Sequence, residues 1–222
     1  MKQLLPLIAL LMMGCSQIKE NVMIEIQNCD AGMFTHCLNS PNYALKNDTI
    51  TISSSAKTDF FNAPDGLIRT ANAPLLLKEI DNTKPFTFTA KVKPEFKNTY
   101  DAGTIYLFCN NDLWQKFAFE MDERGITRAV TVRTISTSDD NNHNSISQED
   151  VYMKISSDSK SIGFYYSLDG QTWQLARLYR NEYPQRIYIA LSSQSPIGDG
   201  IDTQFTEIKL TDNSITDFRL GL

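Results

Sequence analysis

The stretch VYMKISSDSKSIGFYYSLDGQTWQLARLY, residues 151–179, holds three short runs in which apolar and polar side chains alternate, separated by two polar breaks. In Val151-Tyr152-Met153-Lys154-Ile155 and in Phe164-Tyr165-Tyr166-Ser167 successive side chains fall on opposite faces of a strand, and neither run carries the 3.6-residue spacing of a helix. SDSK (157–160) and LDGQ (168–171) supply the breaks. Asp169-Gly170 predicts a two-residue hairpin, because glycine takes the positive φ that such a turn requires. That hairpin is expected to gather Tyr165, Tyr166 and Trp173, with Trp173 closing a core edge.

Outward from this stretch the pattern repeats. TITIS (49–53), GLIRTA (66–71), PFTFTAKV (85–92), GTIYLFC (103–109), LWQKFAFEM (113–121), TRAVTVRTI (127–135), RIYIALSS (186–193) and TQFTEIKL (203–210) read as strands, with turns at APDG (63–66), NNDL (110–113) and DERG (122–125). Many short strands at close spacing define an all-β sandwich or barrel. The domain is predicted to span 47–222, preceded by a tether and irregular extension over 15–46.

The chain has 222 residues, 41% hydrophobic and 21% charged, enough for one good core. Its formal charge of −5 and the absence of any Lys/Arg run argue against a nucleic-acid partner. Residues 1–14 read as a signal peptide: Lys2, then an apolar run from Leu4 to Met13 that is shorter than a membrane span. Met12-Met13-Gly14-Cys15 resembles a bacterial lipobox, so Cys15 is the expected lipidation site and the bacterial cell envelope the expected location, with the domain anchored to a membrane rather than spanning it. In an exported chain Cys29 and Cys37, which bracket DAGMFTH, are candidates for a disulfide, and Cys109 reads as a small buried hydrophobe. Two cysteines with His36 do not make a zinc site.

Alternation sorts the faces. Leu113, Phe117, Phe119 and Met121 are expected to face the core, as are Val130, Val132, Val151, Met153, Ile155, Phe164 and Tyr166. If these strands share a sheet, its other face gathers Trp114, Lys116, Glu120, Arg133, Tyr152, Lys154 and Tyr165, a mixture of rings and charges suited to stacking on sugars and hydrogen-bonding their hydroxyls. FEMDERG (119–125) resembles the acidic strand of jelly-roll β-glucanases, but Glu123 follows Asp122 one residue too early and points to the opposite face. SLDGQTW (167–173) resembles a sialidase Asp-box shortened by one residue, without the blade repeats of a propeller. His36 and His143 do not complete a nucleophilic triad. The polar segment STSDDNNHNSISQED (136–150) reads as a loop, and its Asp139, Asp140 and Asp150 are the one place calcium could bind; no EF-hand spacing is present, and no other cofactor or metal is expected.

DFFNAP (59–64), YDAGTIYLFCNNDLWQKFAFEMDERG (100–125), AVTVRTISTSDD (129–140), VYMKISSDSKSIGFYYSLDGQTWQLAR (151–177) and IALSSQSPIGDG (189–200), in that order, resemble the "domain of unknown function 1349" family over residues 58–210. The resemblance implies a two-sheet concanavalin-A-like jelly-roll sandwich with a concave face, akin to lectins and glucanases. The family's Trp-x-Lys-x-x-x-Glu pattern falls on Trp114, Lys116 and Glu120, and its Ser-x-Asp-Gly-x-x-Trp on Ser167, Asp169, Gly170 and Trp173. The chain departs from the family at Asn141-Asn142, where relatives carry tryptophan. Three functions follow as expectations: a carbohydrate-binding module with the seven residues above as its site; a glycan hydrolase with Glu120 and either Asp139 or Asp140; or a non-catalytic subunit of an envelope complex.

Overall fold

The computed structural model describes residues 25–222, so the leader and Cys15 lie outside the described residues. Two antiparallel sheets face each other. The eight-stranded sheet runs, in spatial order, β1 (Gln27–Ala31), β2 (Phe34–Leu38), β7 (Leu75–Asp81), β16 (Arg186–Gln194), β9 (Ala102–Asn110), β10 (Leu113–Met121), β11 (Thr127–Ile135) and β12 (Thr137–Ser145). The seven-stranded sheet runs β15 (Gln174–Arg180), β14 (Ser161–Ser167), β13 (Val151–Ser157), β8 (Phe86–Pro94), β17 (Asp202–Thr211), β4 (Thr49–Ser53) and β3 (Asn42–Lys46). A small hairpin, β5 (Phe60–Asn62) with β6 (Arg69–Ala71), stands apart from both. No helix occurs among the described residues. The all-β sandwich expected from alternation is the fold observed.

Phe117 and Phe119 from β10, Ile105 and Leu107 from β9, Phe88 from β8 and Phe164 from β14 meet between the sheets, all fully buried. Phe117 and Phe164 close the gap edge to face at 5.9 Å. A second apolar layer covers the opposite face of the eight-stranded sheet, where Phe60 of the hairpin packs edge-on against Tyr106, Phe108 and Trp114 at 5.7–6.0 Å. This sheet is therefore buried on both faces. Leu75-Leu76-Leu77 shows what that does to sequence: Leu76 enters the main core while Leu75 and Leu77 enter the second layer. A strand covered on both sides reads as a continuous apolar run, which is why β7 escaped a period-two search.

Three further expectations are corrected. The extension over 15–46 is not irregular from residue 27 on, because β1, β2 and β3 are strands at one end of both sheets. The segment 136–150 is a strand for most of its length; β12 is the edge of its sheet, and its polar side chains are those that keep an edge from pairing with another chain. The hairpin at Asp169-Gly170 is wider than two residues, since β14 ends at Ser167 and β15 begins at Gln174. Asp169 organises that wider loop by accepting from the backbone N–H groups of Gln171 (2.8 Å) and Thr172 (2.7 Å), while Gly170 holds φ at +72°. Cys29 and Cys37 are free thiols in contact across β1 and β2, the Cys29 thiol pushed up to about 11 by burial and by Cys37.

The segment 212–222 lies on the outer face of the seven-stranded sheet. Thr87 donates to the Asn213 carbonyl at 2.7 Å, Tyr165 to the Phe218 carbonyl at 2.8 Å and Lys154 to the Gly221 carbonyl at 2.8 Å.

Candidate functional site

The seven residues expected on one face are divided between three environments. Trp114, Lys116 and Glu120 share the outer face of the eight-stranded sheet, as β10 alternation requires. Tyr152, Lys154 and Tyr165 lie on the outer face of the other sheet, because β13 and β14 belong there. Arg133 lies between the sheets, its guanidinium 4.3 Å over the Tyr179 ring, while Val130 and Val132 turn outward into the second apolar layer. The face assignment of β11 is thus the reverse of the expected one. Trp114 and Tyr165 are fully buried and offer no ring for stacking. Trp114 donates to the Asn111 carbonyl at 3.3 Å and holds the hairpin layer together.

Around Lys116 the outer face carries a cluster of charged side chains. Strand register places Lys116 in one row with Tyr106, Val132 and Asp140, and Glu120 in another with Ala102, Gln194 and Arg128. The Lys116 ammonium is almost sealed from solvent and bonds Asp59 Oδ1 at 2.8 Å, the Phe60 carbonyl at 3.0 Å and Gln194 Oε1 at 3.2 Å. Gln194 also donates to the Tyr106 hydroxyl. Burial opposes the Lys116 charge, but Asp59, Tyr106 and Glu120 outweigh it and hold the ammonium above the ordinary lysine value. The pair fastens the segment that carries Phe60 onto the sheet.

Glu120 sits beside this pair with part of its surface open. Protein crowds its carboxyl, and burial, with Asp59, Asp140 and Asp122 adding and Lys116 opposing, pushes it up to about 8. Asp140 stands on the exposed edge strand, yet enough protein surrounds its carboxyl to raise it as well, with Lys116 and Arg177 opposing and Asp59 and Asp139 adding. At neutral pH Glu120 therefore carries a proton much of the time and Asp59 is held in an ion pair. Such a cluster offers both hydrogen-bond donors and acceptors to a polyhydroxyl ligand.

The other acids point elsewhere. Asp122 is buried and paired with Arg128 at 2.6 Å, which shapes the turn after β10. Asp139 pairs with Arg177 at 3.3 Å and Asp150 with Lys91 at 3.2 Å, so two of the three aspartates that could take calcium are each engaged by a different cation. Among the described residues no group of three or more His, Cys, Asp or Glu is placed to hold a metal ion. Sequence reasoning missed Asp59, Tyr106 and Gln194. DFFNAP and IALSSQ were visible as blocks, but no spacing ties Asp59 or Gln194 to Lys116; only the fold does.

A family model described as a protein of unknown function, DUF1349, matches residues 37–213. No curated protein matches the chain. Among solved structures, a functionally unknown protein from Saccharomyces cerevisiae is similar at 21% identity and a TM-score of 0.73, covering 79% of this chain and 95% of that one. An engineered GH43 glycoside hydrolase with endo-xylanase and exo-arabinofuranosidase activity is similar at 16% identity and a TM-score of 0.60 over 79% of this chain, which spans 36% of the hydrolase. The exoplasmic/lumenal domain of VIP36, in a Ca2+/Man3GlcNAc-bound form, is similar at 7% identity and a TM-score of 0.50, covering 80% of this chain and 84% of that one.

Proposed function

The chain belongs to the DUF1349 family of proteins of unknown function, and from that premise we propose that it is a carbohydrate-binding sandwich whose ligand lies over Glu120, Asp140 and the Asp59–Lys116 pair. One observation carries the reading: Glu120 and Asp140, half-buried and exposed on one face beside the Asp59–Lys116 pair, keep their carboxyls in surroundings that oppose the charge. Residues that break a local rule of stability without a packing return mark functional sites. The lectin-like and glycoside-hydrolase likenesses support the ligand class. Lipid attachment through Cys15 and a place in the bacterial cell envelope complete the proposal; labelling with a radioactive fatty acid, abolished in Cys15→Ala, tests that part. A glycan array tests the rest. Glycans retained by the wild type are expected to be lost by Glu120→Gln and Asp140→Asn, and an unchanged array in both variants refutes the site.

A hydrolytic reading is favoured by one specific feature, a proton-carrying Glu120 beside the lysine-paired Asp59. Release of reducing sugar from the retained glycans, absent in Glu120→Gln, decides for it; unchanged glycans after long incubation decide against it.

A further inference from the structure

The outer face of the seven-stranded sheet carries a groove of about 600 Å³ lined by Thr87, Thr89, Tyr152, Lys154, Trp173 and Glu207, among others. We propose that this groove is a second saccharide site that takes an acidic sugar, a hexuronate residue whose carboxylate pairs with Lys154 beside Trp173. The inference rests on the carbohydrate reading for its ligand class, but on different residues and a different sheet.

Lys154 is the starting point. It is only 7% exposed, and its ammonium lies 3.6 Å from the centroid of the Trp173 ring. An ammonium has three donors, and this one has a single hydrogen-bond acceptor, the Gly221 carbonyl. Among the described residues no carboxylate lies within ion-pair distance of it, and burial alone pulls its proton affinity down, to a pKa of about 8. Lys116 on the opposite sheet is equally buried and has Asp59. The rings of Trp173 and Tyr165 are its other partners, so the group that Lys154 lacks and Lys116 has is a carboxylate. Holding the Gly221 carbonyl would need only a neutral donor. What the lysine adds is a cation in the lining of an open groove.

The groove's backbone is also strained beside Tyr152. β17 and β8 slip register between Thr206 and Lys209, and Glu207 in that bulge holds φ at +50°. Non-glycine residues in this region are strained and concentrate at binding sites. The bulge delivers the Glu207 carboxylate to the Tyr152 hydroxyl at 2.9 Å, leaving its remaining lone pairs at the groove. Strand register sets Lys209, Thr89 and Lys154 in one row, with Thr211, Thr87 and Ser156 in the next. Hydroxyls and one carboxylate for sugar hydroxyls, an indole for a ring edge, and a cation with no carboxylate partner match a sugar that carries one carboxylate per ring.

Calorimetric titration of the full chain with trigalacturonate and with its methyl ester, the same trisaccharide without the charges, tests the proposal. The acid is expected to bind at least tenfold more tightly than the ester, and Lys154→Met to abolish that preference. Titration should also shift the Trp173 indole N–H resonance in the wild type. Equal binding of acid and ester, or no binding of either, overturns the site on the wild type alone, so a poorly folded Lys154 variant does not shield it. Loss of hexuronate selectivity leaves the reading at Glu120 standing if neutral glycans still bind. If Glu120→Gln removes neutral and acidic glycans together, there is one site and this one falls.

Discussion

Glu120→Gln is predicted to make the protein more stable at pH 8 while weakening its ligand binding. The carboxyl holds its proton to about pH 8 in the folded chain, against an ordinary value of 4.5. Below the lower value both folded and unfolded chains are protonated; between the two, only the unfolded chain has released its proton, so stability falls as pH rises; above the upper value both are ionised and the slope ends. At about 1.4 kcal/mol for each pH unit of separation, the full effect is bounded near 4–5 kcal/mol. Part of the Glu120 surface is open to solvent, and screening there brings the expected gain to about 2 kcal/mol. Asp140 titrates with the same sign and Asp139 with the opposite one, so the difference between wild type and variant, not the wild-type slope, isolates Glu120. Urea denaturation at pH 5, 6.5 and 8 measures it. The two proteins should be nearly equal in stability at pH 5 and separate progressively to pH 8. Parallel curves, or a variant that is the less stable of the two at pH 8, refute the reasoning.

Asp59→Asn, which leaves the Lys116 ammonium with neutral acceptors only, is expected to cost about 3 kcal/mol, and the double variant Asp59→Asn/Lys116→Met to recover at least half; simple additivity in the cycle would show that the pair is not coupled. Trp114→Ala empties the aromatic layer against Phe60 and Tyr106 and should lower stability by about 3–5 kcal/mol in the same assay, whereas a cost under about 1 kcal/mol would mean that the layer collapses around the gap. Gly163→Ala puts a methyl carbon into the Tyr165 ring, 2.6 Å from Cε2, so it should displace the Tyr165–Phe218 hydrogen bond and speed hydrogen exchange over 215–222; unchanged exchange would show that Tyr165 does not hold that segment.

Much of the fold could be read from alternation because β8, β10, β13 and β14 each place one clean apolar set in the main core: Phe86, Phe88 and Val92; Phe117 and Phe119; Met153 and Ile155; Phe164 and Tyr166. β11 reversed because its sheet is covered on both sides. Val130 and Val132 meet the hairpin layer, while Thr131 and Arg133 face β15, where Arg177 donates to Thr131 at 2.8 Å. Alternation names two faces and cannot say which is the interior when both are buried. The site was half legible for a related reason. Lys116 and Glu120 share a face by spacing within one strand, but nothing local assigns β10 and β13 to different sheets. Asp59 comes to Lys116 from 57 residues away, through a hairpin too short to carry a period.

The eight-stranded sheet is a partition with a thick layer on one side and a thin one on the other. The thin layer is closed mainly by residues 54–74, fastened by the Asp59–Lys116 pair, by Asn62 at the Ser138 hydroxyl and at the Asn111 and Ser136 carbonyls, by Arg69 at Asp112, by Ser54 at Ile201 and by the bridge of Thr58 to Ser195. One short segment is thus pinned at points spread along its length, and the Asp59–Lys116 pin is the one that a neighbouring ligand would touch. A ligand seated beside Lys116 would tighten this cover first, and slower hydrogen exchange over 54–74 is where its binding would be felt.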